Sequence, residues 1–94
     1  MRRIKFAKRF RRNYAKMRRL GKNIEKLHTA MDMLADGVLL PPQYKDHALH
    51  GEWAGVRDCH IEGDWILLYK LNIDADGEEK ITFYATDTHE NLFG

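Results

Sequence analysis

The chain has 94 residues, 44% of them hydrophobic and 32% charged, with a net charge of +2. That composition supports one small domain with a single core and leaves no room for a second. It excludes an integral membrane protein, since no apolar run approaches the roughly 18–20 residues a spanning helix needs.

The near-neutral total conceals a division. Residues 1–26 carry twelve Lys and Arg against one acid, Glu25, for a net +11, while residues 27–94 carry four bases, thirteen acids and all five histidines, for a net −9. A segment that basic attracts polyanions, because each phosphate contact releases condensed counterions. Arg9, Arg11, Arg12, Arg18 and Arg19 are the candidates for contacting RNA, or an acidic protein covering the same surface. The leading MRRIKFAKRF is basic but has no apolar stretch or cleavage site, so no secretory signal is expected. A lone cysteine, Cys59, forms no internal disulfide and suits a reducing, cytoplasmic setting. It is read as a core-facing strand residue.

Ile4 and Phe6 alternate with Arg3 and Lys5, which predicts a short opening strand over about 2–7. Phe10, Tyr14, Met17 and Leu20 then form the apolar stripe of an amphipathic helix that Gly21 stops. Asn23 opens a second helix with its stripe on Ile24, Leu27, Met31 and Leu34, and Gly37 ends it. The short link predicts an antiparallel helical hairpin. Pro41-Pro42 break the pattern and start a loop running to about Gly51. Three strand-like stretches follow, over 52–61, 64–71 and 80–86, joined by a tight turn at Glu62-Gly63 and a solvated loop over 72–79. The expected fold is α+β, of order β-α-α-β-β-β with a possible closing helix. Its sheet is mainly antiparallel, with the helical hairpin packed on one face.

Four pieces of the C-terminal half occur in a specific order and spacing: YKDH-x-L-x-G at 44–51, RD-x-H at 57–60, DWILLYKL at 64–71, and T-x-T-H-x-x-LFG at 86–94. Together they resemble the YafQ branch of the RelE/ParE toxin superfamily. The resemblance implies a RelE-like fold and the toxin half of a type II toxin–antitoxin pair. It implies a ribosome-dependent endonuclease that cuts mRNA in the A site without a metal or other cofactor. It also implies a DinJ- or RelB-like antitoxin, acidic or helical, with the free toxin a monomer. The family's functional positions fall on His47, His60, Asp64, Trp65, His89 and Phe93.

The chemistry suits those residue types. RNA cleavage without a metal uses the 2′-OH as nucleophile, a base to take its proton, an acid to protonate the 5′-oxygen, and a cation or donor to meet charge on the phosphate. Histidine titrates near working pH and serves either proton role. His89 is assigned as leaving-group acid or phosphate donor. Asp64, or one of His47 and His60, is the base, and the remaining histidine orients the phosphate. Trp65 or Phe93 would stack an RNA base or support the site, with core packing a close rival for Trp65; Arg57 and Lys45 are candidate phosphate contacts, and Arg57 could instead pair with Asp58 or another acid. His28 and His50 are read as structural or surface histidines, and Trp53 as packing. A zinc site is not the first reading, because Cys59 and His60 are adjacent and no metal-ligand spacing is present.

One position departs from the family pattern. Many RelE-type toxins carry an arginine where this chain has Ala85, and alanine offers the phosphate neither charge nor donor. The alternatives are a ParE-like toxin that inhibits gyrase by binding, which does not need the histidine set, and a non-catalytic RNA-binding module built on residues 1–26.

Overall fold

A computed structural model describes all 94 residues. In chain order it has β1 (Arg3–Phe6), α1 (Lys8–Arg19), α2 (Ile24–Ala35), a 3₁₀ turn at Pro42–Tyr44, β2 (His47–Ala48), a second 3₁₀ turn at Gly51–Trp53, β3 (Arg57–Glu62), β4 (Trp65–Ile73), β5 (Glu79–Thr88) and α3 (His89–Phe93). The sheet order is β1-β5-β4-β3-β2. Only the β1–β5 pair is parallel. No helix is long and apolar enough to cross a membrane.

The two long helices end as their glycines require. Gly21 and Gly37 have φ of 75° and 76°. Each lets the next residue reach back over the last turn: Lys22 N–H donates to the Met17 carbonyl at 3.1 Å, and Val38 N–H to that of Met33 at 2.9 Å. The hairpin packs on one sheet face through Phe10, Met17, Leu27 and Leu34, which meet Cys59, Trp65, Leu67, Tyr69, Ile81 and Phe83. The opposite face carries a smaller apolar cluster of Val56, Ile66, Leu68, Ala85 and Leu92. Both faces of β4 are therefore covered, which explains why its apolar run is unbroken.

Two irregularities decide which side chains share a face. In β5, Leu68 pairs with Ala85 but Tyr69 with Phe83, so Tyr84 is a bulge. Without it Ala85 would point into the helix-side core with Phe83. In β3, His60 pairs with Ile66 but Glu62 with Trp65, a second shift just before the β3–β4 turn. Beyond Phe83 the β5 edge has no strand partner; there Asn13 of α1 accepts the Thr86 N–H at 3.1 Å.

The structure refines several expected boundaries. The stretch over 52–61 becomes a 3₁₀ turn followed by β3. The 44–51 loop contains the two-residue strand β2, an edge strand held by β3. The loop between the last two strands shrinks to 74–78 because β4 and β5 both run further than their apolar residues indicate. The four residues of β1 are all exposed, including Ile4 and Phe6, so its alternation marks an edge strand.

Candidate active site

β3 alternates strictly. Cys59 turns into the helix-side core, while Asp58 and His60 point to the other face. β2 sets His47 opposite Asp58. The β3–β4 turn carries Asp64, and the end of β5 delivers His89 as the first residue of α3. Four separate elements thus bring His47, His60, Asp64 and His89 to one corner of the sheet.

Asp58, which the sequence reading left unused, lies at their centre. Its Oδ2 is 3.4 Å from His89 Nε2 and 3.9 Å from His47 Nε2. The other ring nitrogen of His89 is 2.8 Å from Asp64 Oδ1. Both nitrogens of His89 therefore face carboxylates, and only a doubly protonated ring can donate to both. His60 stacks obliquely against His89, with ring centroids 5.1 Å apart. Asp58 is 1% exposed, and its Oδ1 is buried without a hydrogen-bond partner. An orphaned buried carboxylate oxygen is costly and uncommon.

His47 is held differently. Its Nδ1 lies 2.8 Å from the Lys45 carbonyl, which can only accept, so Nδ1 carries a proton, and in the neutral ring the lone pair is on Nε2. The chain reaches this geometry through Lys45, whose φ is 48°, a left-handed conformation unusual for a residue with a side chain. Asp46 anchors the same loop. Its Oδ1 accepts from the Tyr69 hydroxyl at 2.6 Å and from Arg57 Nε at 3.3 Å. Burial, together with the Asp46 carboxylate, raises the Tyr69 phenol above its usual range, so it stays a donor.

α3 is tied down at its start. Thr88 caps it by accepting from Asn91 N–H at 3.2 Å. The Asp87 carboxylate accepts from the Thr88 N–H, the Asn91 amide and Lys16. Burial alone would raise Asp87, but these three donors outweigh it and hold the carboxyl below the ordinary carboxylate range. Phe93 sits between the T-shaped ring of Trp53 at 5.1 Å and the His89 ring at 6.0 Å.

Two supporting residues expected from the sequence lie elsewhere. Trp65 is 1% exposed, in the helix-side core, and donates Nε1–H to Thr86 Oγ1 at 2.7 Å; no RNA base can stack on it. Arg57 points to the same side and is engaged by Asp46, away from the histidines. Strand alternation is the reason in both cases. Lys45 is exposed beside His47. Ala85 is fully buried in the apolar cluster beneath α3. Of the twelve N-terminal bases only Arg2, Arg3, Lys16 and Lys26 meet a carboxylate. Arg9, Arg11, Arg12, Arg18 and Arg19 leave an uncompensated positive surface along α1.

Asp58, His60 and His89 each offer one donor atom within 4.8 Å of the others. That set fits a divalent ion of nitrogen and oxygen preference, and Asp58 Oδ1 has no competing partner. Cys59 takes no part: it is buried, and burial first, then Asp46 and Asp58, push its thiol far above the usual range.

Comparison with known proteins covers the whole chain. A family described as "Bacterial toxin of type II toxin-antitoxin system, YafQ" matches residues 2–94. The chain is similar to the mRNA interferase toxin YafQ of Escherichia coli K12, with 46% identity over 74 residues, covering 78% of this chain and 75% of that one. It is similar in structure to the toxin in an E. coli DinJ–YafQ complex, with TM-score 0.88, 37% identity and full coverage of both chains. It also resembles a copper-bound mutant toxin from Helicobacter pylori, with TM-score 0.90, 29% identity, and coverage of 99% of this chain and 100% of that one.

Proposed function

The chain belongs to the YafQ family of toxins from bacterial type II toxin–antitoxin systems, and from that premise we propose that it is a cytoplasmic mRNA endonuclease that halts translation by cutting message in the ribosomal A site. The observation that carries the reading is the meeting of His47, His60, Asp64 and His89 around the buried Asp58 carboxylate. A gyrase-binding toxin has no use for such a cluster, nor has a plain RNA-binding module.

The geometry supports a division of labour. His47 presents the lone pair of Nε2 and takes the proton from the 2′-OH. The oxygen attacks the adjacent phosphorus, forming a 2′,3′-cyclic phosphate as the bond to the 5′-oxygen breaks. His89, held between Asp64 and Asp58, gives that oxygen its proton. Asp58 steadies the imidazolium on whichever histidine carries it. His60, beside His89, faces the phosphate. Phe93 keeps the His89 ring in place from its other side.

No step here calls on a metal. An ion held by Asp58, His60 and His89 would supply Lewis acidity, but it would occupy two of the histidines this cleavage uses. The resemblance places an arginine where Ala85 lies, and apolar neighbours fill that place. Charge on the phosphate is left to His60 and His89, which attenuates this toxin relative to arginine-bearing relatives. The uncompensated basic surface of α1 suits ribosomal RNA, and an antitoxin of the DinJ kind is the inhibitory partner.

An in vitro translation assay with purified ribosomes and a defined mRNA tests the proposal. Cuts mapped to the A-site codon, insensitive to chelator and suppressed by copper, are the expected result. Intact mRNA in the presence of the chain and ribosomes would sink it.

A further inference from the structure

We propose that the cavity beside His60 seats one unstacked nucleobase of the RNA, next to the bond that is cut. The inference rests on the nuclease reading above and names what part of the substrate the site reads.

The cavity has a volume of about 200 Å³ and is lined by Lys26 of α2, Gln43 and Tyr44 of the first 3₁₀ turn, and His60 and Ile61 of β3. It is smaller than the roughly 300–1,000 Å³ of sites for drug-sized ligands, and it suits a single flat heterocycle. His60 belongs to both places: its ring lies 5.1 Å from that of His89, and the residue also lines the cavity. A base seated there lies one residue's width from the reacting phosphate.

The lining favours a base over a phosphate. The one cation, Lys26, already binds Glu62 at 2.6 Å. A paired ammonium with a carboxylate beside it offers little to an anion, whereas an uncharged ring meets no repulsion. His28, His47 and His89 have hydrogen-bond partners within the chain; His60 does not share in them, so its ring nitrogens are open to a base edge. Tyr44, packed against the core, supplies an aromatic surface. Gln43 is exposed, and its amide both donates and accepts, as a base edge demands. Single-stranded RNA is read by such pairings of aromatic stacking and edge hydrogen bonds.

The test maps cut sites on an mRNA library bound to programmed ribosomes, using the parent chain, Gln43→Ala and Gln43→Glu. The expected result is a base preference at one position flanking the cut that flattens by about tenfold in Gln43→Ala and changes letter in Gln43→Glu. Cut maps of both variants that match the parent's overturn the proposal. If the parent cuts nothing, the nuclease reading fails, and titration of the free protein with AMP, GMP, CMP and UMP decides the base seat. Saturable NMR shifts of the Gln43 side-chain amide, unequal among the four, sustain it; no shift at Gln43 overturns it.

Discussion

Asp58 Oδ2 lies 3.4 Å from Nε2 of His89, while Asp58 Oδ1 is buried against no donor at all. One oxygen of the carboxylate is thus spent on the histidine cluster and the other is left at a cost to stability. A fold that needed Asp58 for packing would have satisfied it; a site that needs a fixed negative charge between two histidines would not have to.

Replacing that carboxylate by its amide separates the two roles. In Asp58→Asn the shape is kept and the charge is gone. Cleavage on programmed ribosomes should fall by about 10²-fold, the scale of removing one preorganised electrostatic group. The Tm should hold or rise, because the buried Oδ1 that meets no donor no longer belongs to a charged group. A variant with lowered Tm and undiminished cleavage per folded molecule would make Asp58 a structural residue.

His47, His89 and Asp64 should separate by magnitude. His47→Ala and His89→Ala each remove a proton-transfer group, and single-turnover cleavage should fall by about 10²–10⁴-fold. Asp64 is 61% exposed at its side chain and touches only His89. An exposed pair contributes on the order of 1 kcal/mol, so Asp64→Asn should lose only about tenfold. A loss as deep as that of His89→Ala would return Asp64 to the role of general base.

Much of this was legible in the sequence, and the misses share one cause. The spacing of four motifs gave His47, His60, Asp64 and His89, and the glycines gave the helix ends. Asp58 was overlooked, and Trp65 and Arg57 stayed between a site role and a structural one, because the strands were read for propensity and not for face. Asp58 is two residues before His60 and so must share its side, while Arg57 lies with Cys59, and Trp65 with Leu67 and Tyr69. Applied strictly, the period of two recovers all three. The bulge at Tyr84 was not legible, since nothing in FYAT marks where β5 gains its extra residue. The closing helix was expected only as an option, since α3, five residues long, is too short for a periodic signal.

The bulge has a consequence for Ala85. It turns that residue into the cluster of Val56, Ile66, Leu68 and Leu92, where it is fully buried. Restoring an arginine by Ala85→Arg therefore puts a guanidinium into a packed apolar space. An uncompensated buried charge costs about 3 kcal/mol or more, which for a domain of this size is a Tm loss on the order of 10 °C. Cleavage should stay at or below the parent level. A variant that melts at the parent temperature and cuts faster would mean that the side chain escapes past Leu92 to the histidines.

Asp87 links the site to acid stability. Its carboxyl is held below the ordinary range, with the donors Asn91, Lys16 and Thr88 outweighing the effect of burial. The unfolded chain then binds a proton at Asp87 at a pH where the folded chain does not. The sign follows: this stabilisation is complete above the ordinary carboxylate pKa of about 3.9 and is lost as pH falls through the lower folded value. Asp87→Asn cannot protonate, so its Tm should be lower than the parent's at pH 7, and the gap should narrow below about pH 4. Because Asp87 anchors the first turn of α3, the variant should also slacken His89 and reduce cleavage at pH 7, though the histidine itself is intact. Parallel melting curves from pH 7 downward check this; a Tm difference that stays constant into acid would show that the carboxylate's charge is not what holds α3 to α1.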